Sequence, residues 1–213
     1  MHPNPLRAVL FDWDGTLVDS AEKSYRCYVK AFAAHGIDYD RALFERTYAP
    51  DWYRTYEDVG LPRAVWADAD ARWIASYETE PSLLLPGVPE ILERLAARGL
   101  RLGVVSSGDP ARVRRELKAL QVDGFFATVV CGGETERRKP HPQPLQVALE
   151  RLGVLPGEAA YLGDSPEDVM MAKAAGAFAI GIPGGFPNRR ALEASAPHVL
   201  ASDLESAVSG LLS

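Results

Sequence analysis

Lysine is scarce in this chain of 213 residues, with five in all, and cysteine is scarcer still, with two. Cys27 and Cys131 lie far apart and match no zinc or redox spacing, so neither a metal knuckle nor a disulfide scaffold is expected; buried thiols in a reducing cytosol fit them. No apolar run approaches the roughly 18 residues of a membrane span. The opening Met-His-Pro-Asn-Pro-Leu-Arg lacks the charged-then-apolar pattern of an export signal, so a cytoplasmic location is expected. Positive charge is also short. A formal charge of -6 and a pI near 5.3 give no long-range attraction for nucleic acid or an anionic membrane, so any phosphate binding must come from a local site. The expected partner is a small molecule, with no nucleic acid and no membrane, taken up by a monomer or small homo-oligomer. Internal repeats and low-complexity segments are absent as well.

What is present is enough apolar residue, 47%, to bury one good core and a smaller second lobe. From residue 99 onward short apolar runs alternate with longer amphipathic ones, each run closed by Gly, Asp, Ser or Pro, which is the grammar of βαβ units. Leu102-Gly103-Val104-Val105 precedes a helix starting near Pro110, Thr128-Val129-Val130 one near Pro142, and Tyr161-Leu162 one near Pro166. Ala179 to Ile182 and His198 to Leu200 read as two further strands. The pattern predicts an α/β fold: a Rossmann-like parallel sheet with helices on both faces. A first strand, Ala8-Val9-Leu10-Phe11, stands alone, separated from the rest by about 75 residues. Residues 20–84 between them read as helical, with Tyr25, Tyr28, Val29 and Phe32 at three- and four-residue spacing. This predicts a core of residues 1–19 and 85–213 with a small α-helical cap of residues 20–84 inserted after strand 1, hinged at Val18-Asp19-Ser20 and Leu84-Leu85-Pro86-Gly87.

Ligands of open α/β sheets bind beyond the carboxyl ends of the strands, so those ends carry the candidate chemistry. Asp12 and Asp14 follow the first strand, two residues apart, and project to the same side of an extended backbone. Two carboxylates about 4 Å apart at an effective dielectric near 20 repel by roughly 4 kcal/mol, a pairing that calls for a cation or a shared proton. Mg²⁺, a hard ion that takes oxygen ligands, suits them. Gly15 permits a tight turn there and Thr16 adds a hydroxyl. Ser106-Ser107-Gly108-Asp109-Pro110 closes the next strand; it offers hydroxyls and amides to phosphate oxygens, and equally reads as a turn with Asp109 capping a helix. Lys139 stands before Pro140-His141-Pro142, where the prolines stiffen the backbone. Asp164 and Asp168 in Gly163-Asp164-Ser165-Pro166-Glu167-Asp168 can complete an oxygen cage, although Ser165 and Asp168 also form the pattern of a capping box.

Phe-Asp-Trp-Asp-Gly-Thr-Leu-Val-Asp-Ser, Val-Val-Ser-Ser, Lys-Pro-His-Pro and Gly-Asp-Ser-Pro-Glu-Asp resemble, in order, the four motifs of the haloacid dehalogenase superfamily. The resemblance runs from about residue 7 to 183 and looks most like its phosphoglycolate phosphatase and β-phosphoglucomutase branch, whose small helical cap the inserted lobe matches. It implies a Mg²⁺-dependent phosphatase acting on a small phosphorylated metabolite. Asp12 would attack phosphorus to give an aspartyl phosphate, and Asp14 would protonate the leaving oxygen and then activate water. Ser106, the amide of Ser107 and Lys139 would hold the phosphoryl group, with Gly15 and Thr16 beside it. Mg²⁺ would sit on Asp12, the main-chain carbonyl of Asp14, and Asp164, with Asp168 as ligand or support. Uncatalysed phosphate-monoester hydrolysis is so slow that enzymes reach up to about 10²¹-fold, while general acid-base help supplies about 10²–10⁴, so metal and positive charge must carry much of the rest.

Dehalogenases of this fold lack the second aspartate, so Asp14 argues against carbon-halogen cleavage. A β-phosphoglucomutase-like phosphotransferase is the alternative, although such mutases carry a histidine early in the cap where this chain has Ser24. A non-catalytic binding protein is the reading of another class, opposed by the intact charged motifs. Within the cap, Arg46 and Trp52 are candidate specificity residues, in a segment where such caps hold a substrate-contacting loop. The aromatics Trp52, Tyr53, Tyr56, Trp66 and Trp73 are expected mainly to pack the lobe, and Trp13 to pack beneath the nucleophile. The loop Pro183-Gly184-Gly185-Phe186 lies near the mouth with no chemistry assigned.

Overall fold

The computed structural model describes residues 5–213; Met1 to Asn4, part of the opening segment read above, lie outside them. Ala8–Phe11 forms strand β1, and all four of its residues are fully buried. Val9 and Phe11 face one apolar cluster while Ala8 and Leu10 face another, because successive side chains of a strand point to opposite faces. A strand buried on both faces reads as one continuous apolar run. Strands β2 (Arg101–Val105), β3 (Phe126–Val130), β4 (Ala159–Gly163), β5 (Phe178–Gly181) and β6 (Val199–Leu200) join it. They make one all-parallel sheet in the order β3-β2-β1-β4-β5-β6, as the βαβ reading expects.

Helices α5 (Val88–Ala97), α6 (Pro110–Ala119) and α10 (Leu204–Leu212) cover the face of Val9 and Phe11; α7 (Gln143–Leu152) and α8 (Pro166–Ala175) cover the other, helped by α9 (Arg189–Ala194). Asp109 caps α6, accepting from the amide of Arg112 at 2.9 Å. Ser165 and Asp168 form the reciprocal capping box at the start of α8.

Between β1 and α5 the chain forms α1 (Ala21–Ala33), α2 (Arg41–Thr47), α3 (Trp52–Asp58) and α4 (Trp66–Glu78). Their inner faces build a third cluster around Phe32, whose ring lies 4.7 Å from that of Tyr39 and 5.5 Å from that of Tyr56. Phe186, from the loop after β5, joins this cluster. The segments entering and leaving the helical region run side by side, with the Asp19 amide on the Leu83 carbonyl and the Leu85 amide on the Leu17 carbonyl, both at 2.9 Å. Both cysteines are free and buried. Among the described residues no helix is long and apolar enough to cross a membrane.

The chain moves outward from β1 to β2 and β3, then returns to β4 on the other side of β1 and continues to β5 and β6. The order therefore reverses between β1 and β4, and a crevice opens beyond the carboxyl ends of those two strands.

Candidate active site

Asp12 and Asp164 are the residues that follow β1 and β4, so the reversal in strand order brings both to one crevice. The Asp12 amide still donates to the Leu162 carbonyl at 2.8 Å, which fixes its backbone one step beyond the strand. Its Oδ1 accepts from Lys139 Nζ at 2.7 Å, and the same ammonium donates to Asp168 Oδ1 at 2.6 Å and to the Tyr161 hydroxyl at 2.8 Å. Tyr161 in turn donates to the Val105 carbonyl at 2.8 Å. Lys139 is therefore locked among strand ends rather than solvated, with its side chain 5% exposed. Asp168 uses both oxygens, Oδ1 on Lys139 and Oδ2 on the amide and hydroxyl of Ser165, which makes it a support for the lysine and the α8 cap.

Carboxylate oxygens of Asp12, Asp164 and Asp168 lie within 4.8 Å of one another. Burial pushes Asp12 up to about 7, with Asp168 adding repulsion and Lys139 opposing it. Asp164 is held well above the ordinary carboxylate range, first by burial and then by Asp12 and Asp168. Burial alone would lower Lys139, but its two carboxylate partners more than offset this and keep it an ammonium. Asp164 Oδ2 is buried without a hydrogen-bond partner among the described residues. These crowded carboxylates, with one oxygen orphaned, could hold a metal ion, and oxygen donors suit a hard cation.

Two glycines let Asp164 sit there. Gly15 has φ +80°, and a Cβ on it would lie 2.5 Å from Asp164 Oδ2; a Cβ on Gly184 would lie 2.5 Å from the same oxygen and 2.4 Å from the Gly15 carbonyl oxygen. The loop Pro183 to Phe186, to which sequence reasoning assigned no chemistry, is thus a wall of the carboxylate cluster. Gly184→Ala should displace Asp164, because the Gly15 carbonyl is backbone and has little room to yield. The expected outcome is a loss of about 1–3 kcal/mol in thermal unfolding and a fall in turnover of at least about tenfold, both checked on the purified variant.

Asp14 is expected to serve a metal through its main-chain carbonyl, and its side chain has other partners. Its carboxylate lies outside the cluster of Asp12, Asp164 and Asp168 and pairs instead with Arg112, Nη2 to Oδ2 at 2.5 Å and Nη1 to Oδ1 at 3.2 Å. That leaves the main-chain carbonyl of Asp14 for any part in metal binding. Burial works to raise Asp14, but the guanidinium overcomes it and holds the carboxyl below its ordinary range. Arg112 Nη1 also donates to Glu116 Oε2 at 3.0 Å, and that oxygen accepts from the Trp13 indole at 2.8 Å. Trp13 packs in the core, as expected, and is tied by a hydrogen bond as well, so the i,i+4 pair on α6 grips two successive residues of the first motif. Sequence reasoning missed Arg112 and Glu116. The available signal was a charged pair one turn apart, each charge directly preceding a member of the apolar pair Val113 and Leu117.

The remaining candidates divide. Ser106 is buried, lines the central cavity and accepts from the Gly108 amide at 3.0 Å, and Ser107 lines the cavity beside it. Thr16 is buried but does not reach the cavity wall. In the helical region, Trp52 lines the cavity, whereas Arg46 is exposed and away from it. All five aromatics pack in the cluster of the helical region, as expected, and Tyr53 and Trp66 stack on each other 4.9 Å apart; Tyr56 and Trp73 line the cavity as well. The cavity measures about 290 Å³ and is floored by the strand-end carboxylates.

Residues 9–182 match the family model of the haloacid dehalogenase-like hydrolases. The phosphoglycolate phosphatase of Escherichia coli strain K12 is 31% identical, over 92% of this chain and 88% of that protein. Among solved structures, a predicted phosphoglycolate phosphatase from Haemophilus somnus 129PT shares the fold with a TM-score of 0.87 at 22% identity, over 99% of this chain and 100% of that one. CbbY from Rhodobacter sphaeroides, solved in complex with phosphate, superposes with a TM-score of 0.70 at 28% identity, over 86% of this chain and 88% of that one. With its motifs arranged at the carboxyl ends of a parallel sheet and its family model spanning most of its length, the chain belongs to the haloacid dehalogenase-like hydrolase family.

Proposed function

We propose that the chain is a Mg²⁺-dependent phosphatase that cleaves a small phosphate monoester through an aspartyl phosphate on Asp12. The observation that carries this reading is the Asp12 carboxylate, buried at the crevice between Lys139 and a cluster of carboxylates with an orphaned oxygen on Asp164. The phosphatase relatives support the reaction class. Asp12 Oδ attacks phosphorus as the bond to the leaving oxygen breaks, and water later cleaves the acyl phosphate. Lys139 lies against the attacking carboxylate and offers its charge to the phosphoryl oxygens, while Ser106 and Ser107 offer a hydroxyl and an amide. Mg²⁺ held by Asp12, Asp164 and the Asp14 carbonyl would supply further positive charge to the transferring group.

Asp14 is the acid-base residue of this scheme. Paired to Arg112 it is ionised, which suits the half-reaction in which it takes a proton from water; donating to the leaving oxygen requires the pair to loosen. The helical region of residues 20–84 serves as the cap that excludes bulk water. The cap differs from the mutase pattern at Ser24, which lines the cavity where such mutases carry a histidine, so hydrolysis is favoured over phosphotransfer.

The test is phosphate release from an aryl phosphate with Mg²⁺ and its loss on chelation; absence of release with any ester overturns the reading. A second outcome follows from protonation. A carboxyl raised in the folded state, as Asp12 is to about 7, contributes stability below its unfolded value near 3.8 and loses it as pH rises through the folded value. The metal-free protein is therefore penalised as pH rises, and metal binding, which needs the carboxylates deprotonated, strengthens. The melting temperature should gain more from Mg²⁺ at about pH 8 than at about pH 5.5. Equal gains in thermal scans at the two pH values would contradict the assigned metal set.

A further inference from the structure

The cavity has two chemically different ends. Its floor holds Asp12, Ser106, Lys139 and Asp164, while its cap end is walled by Tyr28, Tyr48, Trp52, Tyr56, Trp73 and Phe186. These rings are already braced. Tyr48 stacks on Phe186 at 4.6 Å with the planes 11° apart, Trp73 stacks on Tyr77 at 4.8 Å, and Tyr28 sits 5.9 Å from Trp73. A wall held by ring-on-ring contacts is preorganised for a flat apolar group, because little side-chain freedom is left to lose on binding.

The same end carries a partly buried anion. Asp70 lines the cavity on α4 and accepts from the Tyr56 hydroxyl at 2.8 Å and the Tyr53 hydroxyl at 3.1 Å. No described cation forms an ion pair with it. Arg112 is committed to Asp14 and Glu116; Arg138 also lines the cavity, but it is exposed, with its guanidinium 5.6 Å over the Trp52 ring, so solvent screens its charge. A leaving group ending in a carboxylate would meet aromatic faces and a like charge. A cavity of about 290 Å³ is at the small end of ligand sites, enough for a single ring.

Resting on the phosphatase reading, we propose that the substrate is the phosphate monoester of a compact, ring-bearing alcohol whose far end carries a hydrogen-bond donor or no charge, and that phosphoglycolate is a poor substrate for this chain. Phosphoryl chemistry at the floor is shared by all esters; selection comes from the aromatic wall and from Asp70.

The experiment compares kcat/KM for benzyl phosphate, glucose 6-phosphate and phosphoglycolate. All three esters are of primary alcohols, so their rates differ mainly through what the far end meets. Benzyl phosphate should lead phosphoglycolate by at least about tenfold, chiefly through KM. Asp70→Asn should shrink that lead about tenfold by improving phosphoglycolate, as expected for removal of a like charge. Trp73→Leu should shrink it by worsening KM for the ring. A lead for phosphoglycolate that Arg138→Ala abolishes would overturn the proposal, since Arg138 would then be the carboxylate clamp; a lead for glucose 6-phosphate would overturn it in favour of a polyhydroxylated substrate. If the wild type turned over no ester, the phosphatase reading itself would fall. The wall is then judged by calorimetric titration of Asp12→Asn protein, where tighter binding of benzyl phosphate than of phosphoglycolate supports the proposal and the reverse order refutes it.

Discussion

Asp12→Asn is expected to lower phosphate release by about 10⁴-fold or more, as loss of a covalent nucleophile does, while the protein keeps its fold. The amide has nearly the shape of the carboxylate and cannot form the acyl phosphate. Stability should change little, for two opposing reasons. Lys139 loses one partner but keeps Asp168 at 2.6 Å and Tyr161 at 2.8 Å. Asp164 and Asp168 meanwhile lose a like charge in the same buried cluster. Turnover measured with an aryl phosphate, together with a thermal melt, checks both parts. Activity above about a hundredth of wild type with an unchanged melt would remove Asp12 from its assigned role, whereas inactivity with a collapsed melt would mean that the residue holds the fold.

Arg112→Met should be among the most destabilising single changes outside the apolar core. Arg112 is 5% exposed, and its guanidinium joins Asp14, Glu116 and the face of Tyr77, which lies 4.9 Å away. The Arg112 contact to Tyr77 and the Ser82 hydroxyl, which donates to Glu116, together tie the helical region to α6. Methionine fills much of the volume but leaves the buried Glu116 and the part-buried Asp14 without a cation, and breaking a buried pair from one side typically costs about 3–5 kcal/mol. For a chain of this size that corresponds to a fall in melting temperature of about 10 °C. Turnover should fall too, because Asp14 loses the contact that orients it. Adding Glu116→Gln removes one stranded charge and should recover part of the melting temperature without restoring turnover. If Arg112→Met melts within about 2 °C of wild type, the network contributes nothing net and solvent screens it.

How far the chemistry was readable depended on how local each motif is. Asp12, Lys139 and Asp164 each follow a strand or stand at a helix approach, and the sheet collects such ends by its topology. The cap of α6 by Asp109 and the capping box of Ser165 and Asp168 are decided within four residues of backbone, and both were legible. Asp168 looked equally like a ligand and a support because its second partner, Lys139, is 29 residues away in sequence. Arg112 and Glu116 were not read as part of the site, since an i,i+4 ion pair on a helix is usually solvated. Only the seat of α6 beneath Trp13 and Asp14 buries this one. Arg46 failed in the opposite sense: a plausible guanidinium by sequence neighbourhood, it lies on the exposed side of α2.

The loop of Gly184 and Phe186 makes the same point. Its glycines look like an ordinary turn until Gly184 is found against Asp164 and Phe186 against Tyr48. By itself the sequence determined the parallel α/β class, the interruption after β1 and the residues at the strand ends, because apolar periodicity, caps and turn residues act over a few positions of chain. The tertiary structure alone decided which carboxylate faces the cluster and which an arginine, and what chemistry walls the far end of the cavity. Ion pairs and ring contacts depend on distances between elements far apart in sequence, which no local pattern encodes.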